Sequence, residues 1–226
     1  MWGIYMDDNY EIIDITQPVS SRTACFPGDT PFSRVITLSY KESHVVNLSA
    51  ITMSPHVGTH ADSPIHIYGD MADGLGMASS LPLSHYLGPV VVLDVSPFED
   101  QIMIAHVEPK LAKLGSTPER ILFKTKKEIR YEVFEHRYAY FSSELVQYLV
   151  AQGIMLMGID TPSVDHIDSK SLEAHHELLA GQMSWLENLD LTKVKEGAYF
   201  LIALPLKLTE VEASPVRAVL LAEKHT

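Results

Sequence analysis

The sequence predicts a single mixed α/β domain, residues 1–226, with a central β-rich core. Three observations point there. Short β-rich runs recur along the whole chain, only a few segments between them carry helical periodicity, and no repeat, low-complexity stretch or Gly/Ser/Pro-rich linker divides the 226 residues. A composition of 46% hydrophobic and 20% charged residues supports a buried core and excludes a disordered, collagenous or coiled-coil chain.

Taken in order, Tyr10–Thr16 is the first β-rich run, and the turn signal Pro27-Gly28-Asp29 separates it from Ser33–Tyr40 and Val45–Met53. Val90–Val95, Arg120–Lys124, Ile154–Asp160, Tyr199–Leu204 and Val216–Leu221 follow, each short and rich in β-branched or other apolar side chains, for about eight strands in all. A helix is expected over Ser143–Gln152, where Leu145, Tyr148 and Leu149 share a stripe and Gly153 offers a stop. Ser169–Ala180 and the shorter Val107–Leu114 carry the same periodicity.

Charge narrows the function. With 17 Lys and Arg against 29 Asp and Glu, the net charge of −12 repels nucleic acid and anionic lipid, which leaves a small molecule as the expected partner. The one cysteine, Cys25, allows no disulfide within the chain and no cysteine zinc cluster, so a metal would rest on His, Asp and Glu. Cys25 has no identifiable neighbouring base and is a poor candidate nucleophile. Met1–Asn9 carries Asp7 and Asp8 where a signal peptide would be basic, and no apolar run approaches the ~18 residues of a membrane span. A cytoplasmic protein is the expectation.

The densest chemistry lies in Ser54-Pro-His-Val-Gly-Thr-His-Ala-Asp-Ser-Pro-Ile-His66, which places His56, His60, Asp62 and His66 within eleven residues. All four are even-numbered and would share one face of an extended chain, with Val57, Ala61, Ile65 and Ile67 opposite. Gly58 and Pro64 disfavour a helix. A straight strand would separate His56 from His60 by ~13 Å, a long reach for two imidazoles that must each approach one ion to about 2.0 Å. A bend is therefore expected at Gly58, which makes His56, His60 and Asp62 candidate metal ligands. His66, beyond Pro64, reads as an acid or base facing the metal, a further ligand or a core histidine.

Downstream, Ser171–Glu187 contains His175, His176 and Glu177 in a helical pattern, where adjacent histidines point about 100° apart and at most one faces a given site. On one unbroken helix His175 and Glu187 would stand ~18 Å apart. They meet only if the helix ends near Gly181; otherwise Glu187 reads as a surface helix residue.

The segment His56-x-Gly-Thr-His60-x-Asp62-x-Pro-x-His66 resembles the signature of the cyclase family of metal-dependent hydrolases, whose best-known members are bacterial kynurenine formamidases. The resemblance extends to Ile13–Pro18, Phe26–Phe32, Gly158–Asp165, Ala174-His-His176 with Leu186–Leu189, and Ser214–Ala218. It implies a cyclase-like domain of swivelling β/β/α type. His56, His60 and Asp62 would hold one zinc and Asp62, His175 and Glu187 a second, with manganese an alternative, while His66 serves as the catalytic acid/base. The resemblance thereby moves Glu187 from surface to site, selects His175 over His176 and requires the helix to break near Gly181.

The activity implied is hydrolysis of N-formyl-L-kynurenine to L-kynurenine and formate in tryptophan degradation. Many relatives carry Trp before Pro-Gly-Asp, where it packs on the substrate ring; this chain has Phe26, a smaller candidate substrate-binding aromatic. The departure leaves room for another amide, such as isatin. The resemblance also implies a homodimer, with Trp2 and Tyr5 as candidate interface aromatics.

Overall fold

The computed structural model describes residues 10–69 and 76–224, so Trp2 and Tyr5 lie outside the described residues. In chain order its strands are β1 (Tyr10–Asp14), β2 (Ser33–Leu38), β3 (Leu48–Thr52), β4 (His60–Asp62), β5 (Leu87–Asp94), β6 (Gln101–Ile102), β7 (Arg120–Lys124), β8 (Tyr140–Phe141), β9 (Leu156–Ile159), β10 (Ser184–Glu187), β11 (Gly197–Ile202), β12 (Ala213–Pro215) and β13 (Val219–Glu223). The helices are α1 (Tyr40–Ser43), α2 (Ile65–Tyr68), α3 (Ile104–Leu111), α4 (Ser143–Ala151) and α5 (Glu173–Ala180).

Nine strands form one mixed sheet in the order β1-β13-β11-β5-β7-β9-β10-β4-β12. Its heart, β5-β7-β9-β10, is parallel, and the strands on both sides of it are antiparallel. β7 is buried along its whole length, as expected of a parallel strand covered on two faces.

Strand alternation builds the two halves of the core. Leu93, Ile121, Phe123, Met157 and Trp185 face the side carrying α3, α4 and α5, where they pack with Val107, Leu145, Leu149 and Leu178. Their chain neighbours Val92, Leu122, Leu156 and Leu186 face the opposite cluster with Ile15, Tyr86, Leu201 and Leu220.

Helix boundaries follow their caps. Ser142 Oγ accepts the Leu145 N–H at 3.1 Å and starts α4 where the stripe predicts it. The helix expected over Val107–Leu114 begins a turn earlier, because His106 Nδ1 accepts the Met103 N–H at 3.0 Å. The helix expected from Ser169 begins only at Glu173, because Leu172 is left-handed with φ 46°. β2 and β3 form a separate two-stranded sheet, almost wholly exposed. Among the described residues no helix is long and apolar enough to cross a membrane.

Candidate active site

The upstream motif is three pieces of structure folded onto one point, not one extended face. His56 lies in a turn in which the Val57 N–H reaches the Ser54 carbonyl at 3.1 Å, and Gly58 bends the chain with φ 73°. A Cβ on Gly58 would stand 2.7 Å from Val19 Cγ2, so both conformation and space require glycine. His60 and Asp62 then share one face of β4, with Ala61 buried behind them. Pro64 turns the chain into α2, which carries His66.

The downstream motif doubles back. α5 stops at Gly181, Gln182 turns with φ 53°, and β10 re-enters the sheet to end on Glu187. His175 and Glu187 are both buried, with Nε2 and Oε1 3.5 Å apart, whereas His176 faces solvent. The reading of Glu187 as a surface helix residue fails because its segment is a strand. The antiparallel register sets Glu187 opposite His60, and two residues along β4 its Asp62 carboxylate meets the Trp185 indole.

These segments meet at the carboxyl ends of parallel strands β9 and β10, where open α/β sheets place their ligands. Asp62 is the hub. Its Oδ1 lies 3.0 Å from His56 Nδ1 and 3.3 Å from His60 Nε2, and its Oδ2 lies 3.6 Å from His175 Nε2. Glu187 Oε2 stands 3.3 Å from His60 Nε2. The His66 ring sits between two of these histidines, 4.5 Å from the His56 ring and 5.6 Å from that of His175.

The donor set suits a divalent cation. One ligand atom each from His56, Asp62 and His66 falls within 4.8 Å of the others, and so do atoms of His60, Asp62 and Glu187. His60 Nε2 and Asp62 Oδ1 are buried without a hydrogen-bond partner in the protein, an arrangement that costs stability unless something else satisfies them. The far sides of the ligands are held in place. His60 Nδ1 donates to the Gly58 carbonyl at 2.9 Å and His175 Nδ1 to Asp165 Oδ2 at 2.6 Å, which turns each Nε2 toward the cluster. His56 Nε2 lies 3.3 Å from Glu212.

Charges are arranged to match. Burial works against a proton on His60, but Asp62 and Glu187 outweigh it and push the imidazole up to about 10. Burial opposes His175 likewise, and Asp165, Asp62 and Glu187 lift it to about 10. Burial would raise Asp62, yet His60 and His56 hold it well below the usual carboxylate range. His66 goes the other way, since burial lowers it and favours the neutral imidazole.

A cavity of about 450 Å³ opens above the cluster. Phe26 lines it and packs edge-on against Phe134, ring centroids 5.3 Å apart, where sequence reasoning looked for a substrate aromatic. Cys25 also lines it, with Sγ 3.8 Å from the Asp29 carbonyl.

A family model described as "Putative cyclase" matches residues 13–166. The chain belongs to the cyclase family. Among cyclase relatives, the "Kynurenine formamidase" of Bordetella avium (strain 197N) is 40% identical over 210 residues, covering 92% of this chain and 96% of that protein. The "Kynurenine formamidase" of Bacillus cereus (strain ATCC 14579) is 41% identical over 210 residues, covering 93% and 97%. The solved "Structure Of Potential Metal-Dependent Hydrolase With Cyclase Activity" superposes with a TM-score of 0.78 at 26% identity, covering 96% of this chain and all of that one. Isatin hydrolase A from Labrenzia aggregata, at 22% identity, shares the fold with a TM-score of 0.84, over 95% of this chain and 94% of its own.

Three residues that support this cyclase site receive no role from the sequence motifs. Trp185 Nε1 donates to Asp62 Oδ2 at 2.9 Å. Its signal was its place two residues before Glu187, which matters only once the segment is known to be a strand. Asp165 binds His175 and also accepts the N–H groups of Ala174 and His175, capping α5. Glu212 arrives from β12's leading edge, 150 residues along the chain from Asp62, and nothing local marks it.

Proposed function

We propose that this cyclase-family chain is a zinc-dependent kynurenine formamidase, hydrolysing N-formyl-L-kynurenine to L-kynurenine and formate. The observation that carries the reading is Asp62, a buried carboxylate whose Oδ1 lies beside His56 and His60 and whose Oδ2 lies beside His175, on the floor of an aromatic-walled cavity. The roughly 40% identity to kynurenine formamidases over nine-tenths of the chain supports it. His56, His60 and Asp62 would hold one ion and Asp62, His175 and Glu187 the other, since the cluster offers more donors than one four-coordinate zinc uses.

When bound, zinc supplies a water nucleophile at neutral pH and polarises the formyl carbonyl. The remaining work falls to side chains. Phe26 and Phe134 stack on the aniline ring and hold the formamide over the ligand cluster. Burial keeps His66 neutral, so its imidazole accepts the proton of the attacking water and passes it to the anilide nitrogen as the C–N bond breaks. Asp165 and the Gly58 carbonyl keep His175 and His60 from swinging away.

The exposed β2–β3 arm supports a homodimer, and an acidic chain with no membrane-spanning helix among the described residues suits a cytoplasmic enzyme. Phe26 keeps a cyclic amide such as isatin as the second reading. The deciding assay follows kynurenine formation by zinc-loaded, manganese-loaded and chelator-stripped protein. Zinc-dependent turnover at kcat/KM of about 10⁴ M⁻¹s⁻¹ or more supports the formamidase. His66→Ala retains metal but loses about 10²–10⁴-fold in kcat. Wild-type turnover by that variant removes His66 from the chemistry.

A further inference from the structure

The cavity has a second, differently charged end, built by the segment that leaves the carboxyl end of β7. Asp160 accepts the backbone N–H groups of Thr125 and Lys126 at 2.9 and 3.0 Å, which fixes the start of that segment. Tyr131 anchors its middle, donating from Oη to Asp190 Oδ2 at 2.6 Å and accepting the Ala24 N–H on its carbonyl at 2.8 Å. Held between these points, Glu135 takes Lys126 Nζ on Oε2 at 2.8 Å and Arg130 on Oε1 at 3.3 Å.

All three side chains line the same cavity as Phe26 and the histidine cluster. Among these three side chains the cations outnumber the carboxylate two to one, with Asp29 on the cavity wall and Asp160 beneath Lys126 as further carboxylates. This grouping of cations is notable in a chain of net charge −12, of whose 17 Lys and Arg residues three fall within residues 126–130. The contacts between Arg130 and Glu135 are long, at 3.3–3.4 Å, and the Arg130 side chain is 64% exposed. Its remaining N–H groups meet no acceptor among the described residues, so the guanidinium fork is open to a planar anion.

We propose that Lys126, Arg130 and Glu135 form a subsite for a zwitterionic α-amino acid group on the substrate. Its carboxylate lies on Arg130 and Lys126, and its ammonium on Glu135. The inference rests on the formamidase reading for the reaction, and it adds how the substrate is chosen. A formanilide whose ring carries an amino acid side arm meets three matching surfaces, the ligand cluster, the aromatic wall and the charged end. A cyclic amide of the isatin type has nothing to place on the third. A ligand without the amino acid group forgoes these charge-assisted contacts.

The test is a calorimetric titration of two ligands into metal-loaded protein, L-kynurenine and 2-aminoacetophenone, which share ring and ketone but differ in the amino acid. Wild type is expected to bind L-kynurenine about tenfold more tightly, the size of one charge-assisted hydrogen bond. Arg130→Ala loses most of that preference, and Arg130→Lys keeps part of it. The exposed position of Arg130 leaves the fold of both variants unthreatened. Equal affinity for the two ligands, no binding of L-kynurenine, or parallel weakening of both in Arg130→Ala overturns the subsite. Turnover of N-formyl-L-kynurenine is measured separately. A kynurenine preference without turnover sinks the formamidase reading and leaves the subsite standing, whereas turnover without the preference does the reverse.

Discussion

His60 and His175 each offer one nitrogen to the protein and one to the cluster, and in the metal-free chain that second nitrogen holds a proton up to about pH 10. A cation entering the site must displace both protons. Below about pH 10, apparent metal affinity should therefore rise with pH, by up to about a hundredfold per unit where two protons leave together. The stability of the metal-free protein should move the opposite way. Both imidazoles are raised by their carboxylate partners, so their contribution is complete below about 6.5 and is lost as pH climbs through about 10. Metal titrations at pH 6, 7 and 8 beside melts of chelated protein would check both slopes, and a flat affinity would mean that the metal-free site carries no such protons. At this scale the sequence was most informative where ligands crowd together, as from His56 to His66. It was silent where a partner arrives through space, as Glu212 and Trp185 do, since no local spacing records a contact across strands.

Elements convert that spacing into geometry, and the bend at Gly58 is the joint on which the upstream motif turns. Gly58→Ala places a side chain on a backbone with φ 73° and sets its Cβ 2.7 Å from Val19 Cγ2. The expected cost is about 1–3 kcal/mol, which lowers Tm by several degrees, together with weaker metal binding, because the Gly58 carbonyl orients His60. An unchanged Tm in a thermal melt would show that the loop relaxes. The longer elements were legible beforehand. Arg120–Lys124 is a strand end to end and Ser143–Ala151 a helix, since both carry enough apolar residues to display their period. β4, β10 and β12, the three strands that assemble the site, are three or four residues long and show no period of their own. Only pairing with their neighbours in the sheet makes them strands, so Glu187 read on its own segment looks like the face of a helix.

For the whole molecule, the β2–β3 arm stands outside the nine-stranded sheet with Val35 62% and Ile51 59% exposed. A lone two-stranded ribbon is at best marginally stable in water, so a second copy of the chain is the expected cover. Light scattering should report about twice the 25.2 kDa chain mass, and a Val35→Asp, Ile51→Asp double variant should report the single-chain mass. A wild-type reading of one chain mass would dispose of the dimer. The sheet order has a further consequence. β4 lies between β10 and β12, so Asp62 waits for Trp185 and Ala213 before it has neighbours across the sheet. A ribosome that makes this chain from its N-terminus exposes the histidine-rich motif long before the strands that enclose it exist. On the two-metal reading, the motif's ligands stand without their downstream partners until then, and selectivity among cations should begin only when the last third of the polypeptide closes over them.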